Sequence, residues 1–276
     1  MILRRYSPGP PLNAFVHWFW LYDQFCPDHD REHALPDGTF ELIINLQDRK
    51  RKLFDRDAAG RFTTFRRAWL SGARSGYLVI DAVQRSSMMG AHFKPGGAAP
   101  FLGMPADEVQ DQVVELDALW GDETVDWRDQ LLEAPGPEAK FQLLERILIR
   151  RLLANHKAAS ADTWISQALH RLALPGPPPA IRALADELGV SHKHFIQAFR
   201  RRVGLPPKLF GRILRFQDAL GQITAGRPID WTDVALHCGY YDQAHFINDF
   251  QQFSGLNPTA YGSRRLEDPN FVRADS

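Results

Sequence analysis

Short apolar runs separated by turn residues dominate the first hundred residues of this 276-residue chain. Pro, Gly, Asp and Arg separate the runs, and no long helical pattern lies between them. Five or more such runs predict a β-sandwich or a small barrel. The predicted strands are Phe15–Tyr22, Phe40–Leu46, Arg67–Leu70, Tyr77–Val83 and Met88–Phe93.

After the loop at 94–100 the apolar period becomes helical. The pattern predicts helices at Glu108–Leu119, Trp127–Glu133 and Glu138–Asn155. The last of them carries one broad apolar stripe, made by Phe141, Leu144, Ile147, Leu148 and Leu152. Such a stripe fits either the core of the domain or a homodimer contact through helix 138–155.

From about Ser160 onward the sequence pattern predicts helices only. One helix spans Asp162–Leu172, a proline-rich connector follows at 175–179, and a longer helix covers Pro207–Thr224. Three regions result: a β-rich domain at 1–158, an all-α domain at 159–266, and a short polar tail at 267–276 that we expect to be flexible.

Composition narrows the class of protein. The chain is 44% hydrophobic and 24% charged with a mean hydropathy of −0.32, which is typical of a globular protein with a buried core. No apolar run approaches the roughly 18 residues of a membrane span, and the N-terminus lacks the apolar region of a secretory signal. The two cysteines, Cys26 and Cys238, cannot form a disulfide framework. We therefore expect a cytoplasmic protein without a membrane partner.

The formal net charge of zero hides an asymmetry along the chain. Residues 1–159 carry 20 Lys and Arg against 22 Asp and Glu, whereas residues 160–265 carry 12 against 8. The locally basic C-terminal region indicates an anionic partner for that region alone.

The C-terminal region contains an internal repeat. The segment Leu184–Val190 matches Val234–Tyr240 at an offset of 50 residues, with Ala, Gly and apolar positions in common. Beyond the glycine the offset becomes 51, and the matched residues are Phe195, Phe199, Gly204, Leu205 and Pro207 against Phe246, Phe250, Gly255, Leu256 and Pro258. One residue is inserted after the glycine, where a turn absorbs it.

Each copy has the chemistry of a helix-turn-helix. A small alanine allows two helices to approach, and Gly189 or Gly239 ends the first helix in the left-handed region. Ser191 or Asp242 then provides an N-cap for the second helix. The Phe pairs spaced i, i+4 anchor that helix and leave its opposite face free for a DNA major groove.

Residues 160–265 resemble the DNA-binding domain of AraC/XylS-type transcription regulators. The strings that carry the resemblance are Leu184-Ala-Asp-Glu-Leu-Gly-Val-Ser191, Val234-Ala-Leu-His-Cys-Gly-Tyr-Tyr-Asp-Gln-Ala-His-Phe246 and Phe250-x-x-Phe-x-Gly-Leu-Asn-Pro-x-x-Tyr261. The N-terminal half is similar, more loosely, to the sensing half of some of these regulators through 35–38, 93–103 and 116–121. The resemblance implies a cupin-like β domain with trailing helices that senses a small molecule or mediates dimerisation.

The expected fold is therefore α+β with two domains: an N-terminal cupin-like β-sandwich or barrel and a C-terminal all-α domain with two helix-turn-helix units. In the first recognition helix, Lys193 and Gln197 are the best candidates for reading base edges, while Arg200 and Arg201 suit phosphate contacts. Arg202 suits phosphate contacts as well, and Arg212, Arg215, Arg264 and Arg265 are secondary phosphate candidates. The full set of expected DNA-binding residues is Ser191, His192, Lys193, Gln197, Arg200, Arg201, Gln243, Ala244, His245 and Asn248.

The second copy is less basic than the first. Gln243 and Asn248 suit adenine, whereas Asp249 would repel a DNA backbone if it faced one. Regulators of this type often carry a basic residue where Asn248 stands, so the resemblance does not assign Asn248 a role.

The function expected from these observations is sequence-specific binding of double-stranded DNA by a non-enzymatic transcription regulator, with a small-molecule effector on the N-terminal domain. RNA polymerase is a further candidate partner, and no cofactor is expected. One alternative is an N-terminal metal-dependent enzyme that uses His17, His29, His33, His92 and Glu41, although the sequence lacks a tight ligand cluster such as His-x-His followed by Glu. Another is a structural protein that bends DNA without an effector.

Overall fold

The computed structural model describes residues 2–58, 60–155, 163–174, 176, 178–223, 229–264 and 268–274. Two antiparallel sheets form the N-terminal domain, and helices follow. Among the described residues, no helix combines the length and apolar character that a membrane span requires.

The sheets contain eleven strands in the described part of the chain. A six-stranded sheet has the order β1-β2-β9-β4-β7-β10, and a five-stranded sheet has the order β11-β3-β8-β5-β6. The strands are β1 (Ile2–Tyr6), β2 (Val16–Phe25), β3 (Arg31–Ala34), β4 (Glu41–Asn45), β5 (Arg51–Phe54), β6 (Phe62–Phe65), β7 (Ala68–Ser71), β8 (Leu78–Asp81), β9 (Ser86–Phe93), β10 (Val113–Glu115) and β11 (Phe271–Arg273).

The five strands that the sequence predicts are all present, as β2, β4, β7, β8 and β9. The apolar pattern does not reveal strands such as β5, because they bury charge, which interrupts it. Arg51 is 8% exposed, and its Nε donates to Asp81 Oδ1 at 2.9 Å while Nη2 donates to the Asp81 carbonyl. Glu32 in β3 is likewise buried.

The six-stranded sheet uses its two faces differently because side chains alternate along each strand. Phe19, Leu42 and Met89 belong to the large core that continues into the helices. Ile43 and Met88 point the other way and form a small apolar cluster with Phe65, Trp69 and neighbouring side chains of both sheets. The two sheets thus form a sandwich with its own interior, as the sequence predicts.

Four helices follow the strands: α1 (Ala99–Leu102), α2 (Leu116–Trp120), α3 (Val125–Glu133) and α4 (Gly136–Ala154). The prediction of a helix over Glu108–Leu119 is wrong. Ala106–Val109 forms a 3-10 turn, Asp111 has a φ of 57°, and Val113–Glu115 pairs with β7 as β10. The backbone hydrogen bonds of 113–115 go to a sheet edge, so the helix begins only at Leu116.

The apolar stripe of α4 is core. Its five apolar side chains are all buried and belong to the large hydrophobic cluster of the chain. A homodimer through helix 138–155 would therefore have to use another face of α4, and dimerisation stays a prediction.

The C-terminal region contains seven described helices: α5 (Thr163–Leu172), α6 (Ile181–Glu187), α7 (His192–Val203), α8 (Pro207–Gln222), α9 (Trp231–His237), α10 (Gln243–Ser254) and α11 (Pro258–Arg264). The expected domain boundary at 158/159, Asp162, Thr224 and Arg265 lie outside the described residues. A single apolar core runs through both domains and includes Phe40 of the sandwich and Phe210 of α8.

The structure differs from the flexible tail expected at 267–276. Phe271–Arg273 forms β11, which pairs antiparallel with β3 and adds an edge strand to the five-stranded sheet. The backbone N–H of Leu35 donates to the Asn270 carbonyl at 2.9 Å, and Val272 is fully buried. The end of the helical region is thus fastened to the N-terminal domain by strand pairing.

Replacing the buried Val272 tests this attachment. We expect Val272→Ala to lower the free energy of unfolding by about 2 kcal/mol, because two buried methyl groups are removed. The exposed neighbour provides the control: Arg273→Ala should cost less than about 1 kcal/mol. Equal melting temperatures for Val272→Ala and the unchanged chain would show that the tail is free.

Candidate nucleic-acid interface

The two predicted helix-turn-helix units have the same backbone architecture. Helices α6 and α9 are each seven residues long, and α7 and α10 are each twelve. The turns match as well. In both, the backbone N–H of the residue after the glycine donates to the carbonyl of the alanine in the first helix: Val190 to Ala185 at 3.0 Å and Tyr240 to Ala235 at 2.9 Å. The repeat predicted from sequence is confirmed at the level of hydrogen bonds.

Glycine is required at both turns. Gly189 has a φ of 71° and Gly239 a φ of 75°, which other residues adopt only with strain. Both predicted N-caps are also present. The Ser191 hydroxyl accepts the His194 N–H at 3.3 Å, and Asp242 Oδ1 accepts the His245 N–H at 2.7 Å.

The anchoring phenylalanines fix which face of each recognition helix is buried. Phe195 and Phe199 on α7, and Phe246 and Phe250 on α10, are fully buried in the core. Because they occupy one side of each helix, the opposite side is left for a partner. The arrangement therefore presents two helix faces outward from one domain.

The expected DNA-binding residues lie on those outward faces. Lys193 and Gln197 are exposed one turn apart on α7, and His192 is half-buried. The other exposed members of the set are Ser191, Arg200, Arg201, Gln243, Ala244, His245 and Asn248. Contact of these side chains with DNA stays a prediction.

Asp249 does not face outward. Its side chain is 4% exposed, and it accepts Arg212 Nη2 at 2.7 Å and Arg212 Nε at 3.2 Å. Arg215 Nη2 lies 4.0 Å from the same carboxylate. The acid therefore joins α10 to the long helix α8 instead of meeting a DNA backbone. Sequence reasoning missed this network because the residues are 34 or more positions apart in the chain.

The N-terminal domain reaches the equivalent end of both recognition helices. A Cβ added at Gly204, which ends α7, would lie 2.9 Å from the Phe40 ring, and one at Gly255, which ends α10, would lie 2.6 Å from the Tyr77 ring. Arg200 on α7 also pairs with Asp107 at 3.5 Å. One rigid sandwich thus contacts both helix-turn-helix units at matching positions.

Comparison with protein families matches two segments. Residues 184–264 match a family described as a helix-turn-helix domain, and residues 4–115 match a domain of unknown function, DUF6597. The C-terminal segment is a helix-turn-helix domain of the AraC type. No curated protein matches the chain.

Comparison with solved structures gives matches of low sequence identity. An apo variant of ToxT from Vibrio cholerae is 10% identical, with a TM-score of 0.47 over 89% of this chain and 97% of that chain. A DNA-binding transcriptional dual regulator from Escherichia coli K-12 is 23% identical, with a TM-score of 0.30 over 36% and 86%. A probable AraC family transcriptional regulator from Rhodopseudomonas palustris is 26% identical, with a TM-score of 0.29 over 34% and 86%.

The histidines proposed as metal ligands have other partners or lie apart. His33 donates to the Ser254 carbonyl of the AraC-type domain at 2.9 Å, and His29 lies between Asp28 and Glu32. Burial opposes protonation of His92, but Glu41 and Asp37 outweigh it and raise the pKa of this imidazole. In the described parts of the chain, no group of three His, Cys, Asp or Glu could hold a metal ion.

The two cysteines differ in environment. Cys238 is buried at the position that Leu188 occupies in the first copy, and burial raises the pKa of its thiol to about 12. Cys26 is exposed. Trp231, at the start of α9, stacks against Phe246 and packs the domain rather than offering a free ring.

Neutralising Asp249 separates its buried role from an electrostatic role toward DNA. We expect Asp249→Asn to lower the free energy of unfolding by about 2 kcal/mol, because the guanidinium groups lose their charged partner in a half-buried site. Thermal and urea unfolding measure the change. Asp233→Asn on α9 is the exposed control and should be neutral within about 0.5 kcal/mol. Unchanged stability with tighter DNA binding would mean that the carboxylate acts on DNA.

Proposed function

We propose that this chain is a sequence-specific DNA-binding transcription regulator that places two recognition helices of one chain in neighbouring major-groove segments. The observation that carries the proposal is the pair of capped helix-turn-helix units whose Phe-anchored faces are buried and whose polar faces are exposed. Two such helices read one face of a duplex when they are about 34–36 Å apart. A DNA partner implies that the protein acts inside the cell.

The proposed mechanism is non-covalent. Arg200 and Arg201 contact phosphates, which supply affinity without sequence information. Lys193 reads guanine and Gln197 reads adenine in the major groove. The helix α10 carries fewer cationic side chains, so it adds base contacts with less electrostatic affinity.

We further propose that a small-molecule effector in the N-terminal domain controls DNA binding. The contacts of Phe40 with Gly204 and of Tyr77 with Gly255 support this, since a change in the sandwich would reach both recognition helices. A hydroxyl at the inner surface of the sandwich supports the location of the effector. Ser71 is buried, and its hydroxyl has no hydrogen-bond partner among the described residues.

Selection of genomic DNA fragments on the purified chain, followed by footprinting, tests the DNA-binding function. We expect a footprint over two neighbouring major grooves. Lys193→Ala or Gln197→Ala should weaken the affinity for the selected site by about tenfold to a hundredfold, because each removes a base contact. Arg146→Ala on the exposed side of α4 is the control for lost charge. Binding without a footprint that disappears at modest salt would contradict sequence-specific reading.

Release of Arg200 from the N-terminal domain tests the proposed coupling. We expect Asp107→Asn to tighten DNA binding by about twofold, since an exposed ion pair contributes roughly 0.5 kcal/mol and Arg200 becomes free to meet a phosphate. Fluorescence anisotropy with the selected site measures the change. Glu108→Gln removes the same charge from the adjacent exposed position. An equal gain in both variants would point to general electrostatics instead of the Asp107–Arg200 contact.

A further inference from the structure

A cleft of about 600 Å³ lies between the two helix-turn-helix units. Its floor is the first half of α8, and its sides are the segment 178–181 before α6 and the first turns of α10. Pro178 and Pro179 are apolar members of one side, while the floor carries cationic side chains. Among the described lining residues, only His245 belongs to the ten residues expected to bind DNA, and Arg212 and Arg215 are secondary phosphate candidates.

Three cationic side chains line the cleft at a helical spacing. Lys208, Arg212 and Arg215 follow one another at i, i+4 and i+7, so they share one face of α8. Asp249 is the only carboxylate among the described residues of the lining. One negative charge against three positive charges leaves the cleft with a formal excess of two, even with His245 neutral.

Packing orients the arginines before any ligand arrives. Asp249 and Gln252 hold the Arg212 guanidinium, at 2.7 Å and 2.6 Å from Nη2, and the Arg215 guanidinium lies 5.0 Å from the centre of the Tyr240 ring. Such fixed guanidinium groups suit oxyanions because their N–H directions match oxygen lone pairs.

Hydrogen-bonding capacity at the base of the cleft is only partly used. The Arg215 guanidinium interacts with the Tyr240 hydroxyl. Neither the buried Arg215 Nε nor that hydroxyl has a partner of good hydrogen-bond geometry in the described chain, although a buried polar group is normally paired. Lys208 is exposed, and no described residue forms an ion pair with it. The base and the rim of the cleft thus both present donors.

The cleft opens beside the face of α10 that is expected to enter DNA, because His245 belongs both to that face and to the lining. When two recognition helices occupy successive major-groove segments, the backbone between the segments passes between the two units.

We propose that this cleft is an oxyanion site that receives a phosphate group, held by Lys208 and Arg215 while Asp249 positions Arg212. The source we favour is the DNA backbone between the two major-groove segments, in which case the proposal rests on the DNA-binding function proposed above. A free phosphate-bearing molecule offers the same chemistry.

The experiment uses the full chain and its selected DNA site over a range of salt concentrations. We expect Lys208→Gln to weaken binding about fivefold on the selected site and equally on unrelated DNA. The slope of the logarithm of the DNA association constant against the logarithm of the salt concentration should decrease in magnitude by about one. Arg146→Gln is the matched control and should leave the slope unchanged. Arg215→Gln should act like Lys208→Gln, and Lys208→Gln alone decides if Arg215→Gln does not fold.

A second arm identifies the source of the phosphate group without DNA. Inorganic phosphate and pyrophosphate are added to the unchanged chain and to Lys208→Gln, and the melting temperature is recorded. Stabilisation that Lys208→Gln abolishes, together with an unchanged salt slope, would assign the cleft to a free phosphate-bearing ligand. An unchanged salt slope without such stabilisation would contradict the proposed phosphate site. Absence of any DNA binding by the unchanged chain would instead contradict the proposed function and leave the phosphate arm to decide on the cleft.

Discussion

The contact between the sandwich and the ends of both recognition helices is the constraint on which the rest of the molecule depends. At Gly204 and Gly255 the helix ends come so close to Phe40 and Tyr77 that a side chain would not fit. Both glycines also have positive φ, so the same residue that ends the helix creates room for the other domain. The spacing of α7 and α10 is therefore linked to the packing of the N-terminal domain.

Strand β11 and helix α8 provide two further attachments between the helical region and the N-terminal domain. The chain leaves the helical region and returns to pair with β3, while Gln217 on α8 donates to the Pro36 carbonyl at 2.8 Å. Both attachments meet the segment around Leu35, between β3 and β4. Any effector that alters this segment would act on the helix that joins the two helix-turn-helix units.

Inside the helical region, a charged contact joins two helices. Asp249 on α10 holds Arg212 on α8, yet it leaves most of the positive charge in the cleft uncompensated. A carboxylate on a recognition helix would oppose DNA if it were exposed. Because Asp249 is buried against two guanidinium groups, it instead orients the cationic side chains of the proposed phosphate site.

The sequence alone determined the features that depend on residues close together in the chain. The turn glycines, the caps Ser191 and Asp242, and the Phe anchors follow from local backbone chemistry, so both helix-turn-helix units were predictable, as were the strongly apolar strands. Only the tertiary structure decided the pairing of β10 and β11, the burial of Asp249 and the cleft beside it. These depend on partners far away in sequence: Val113 has a helical pattern but completes a sheet edge, and Asp249 meets an arginine on another helix. Local propensity cannot report such partners because the hydrogen bonds and charges that decide them come from other elements.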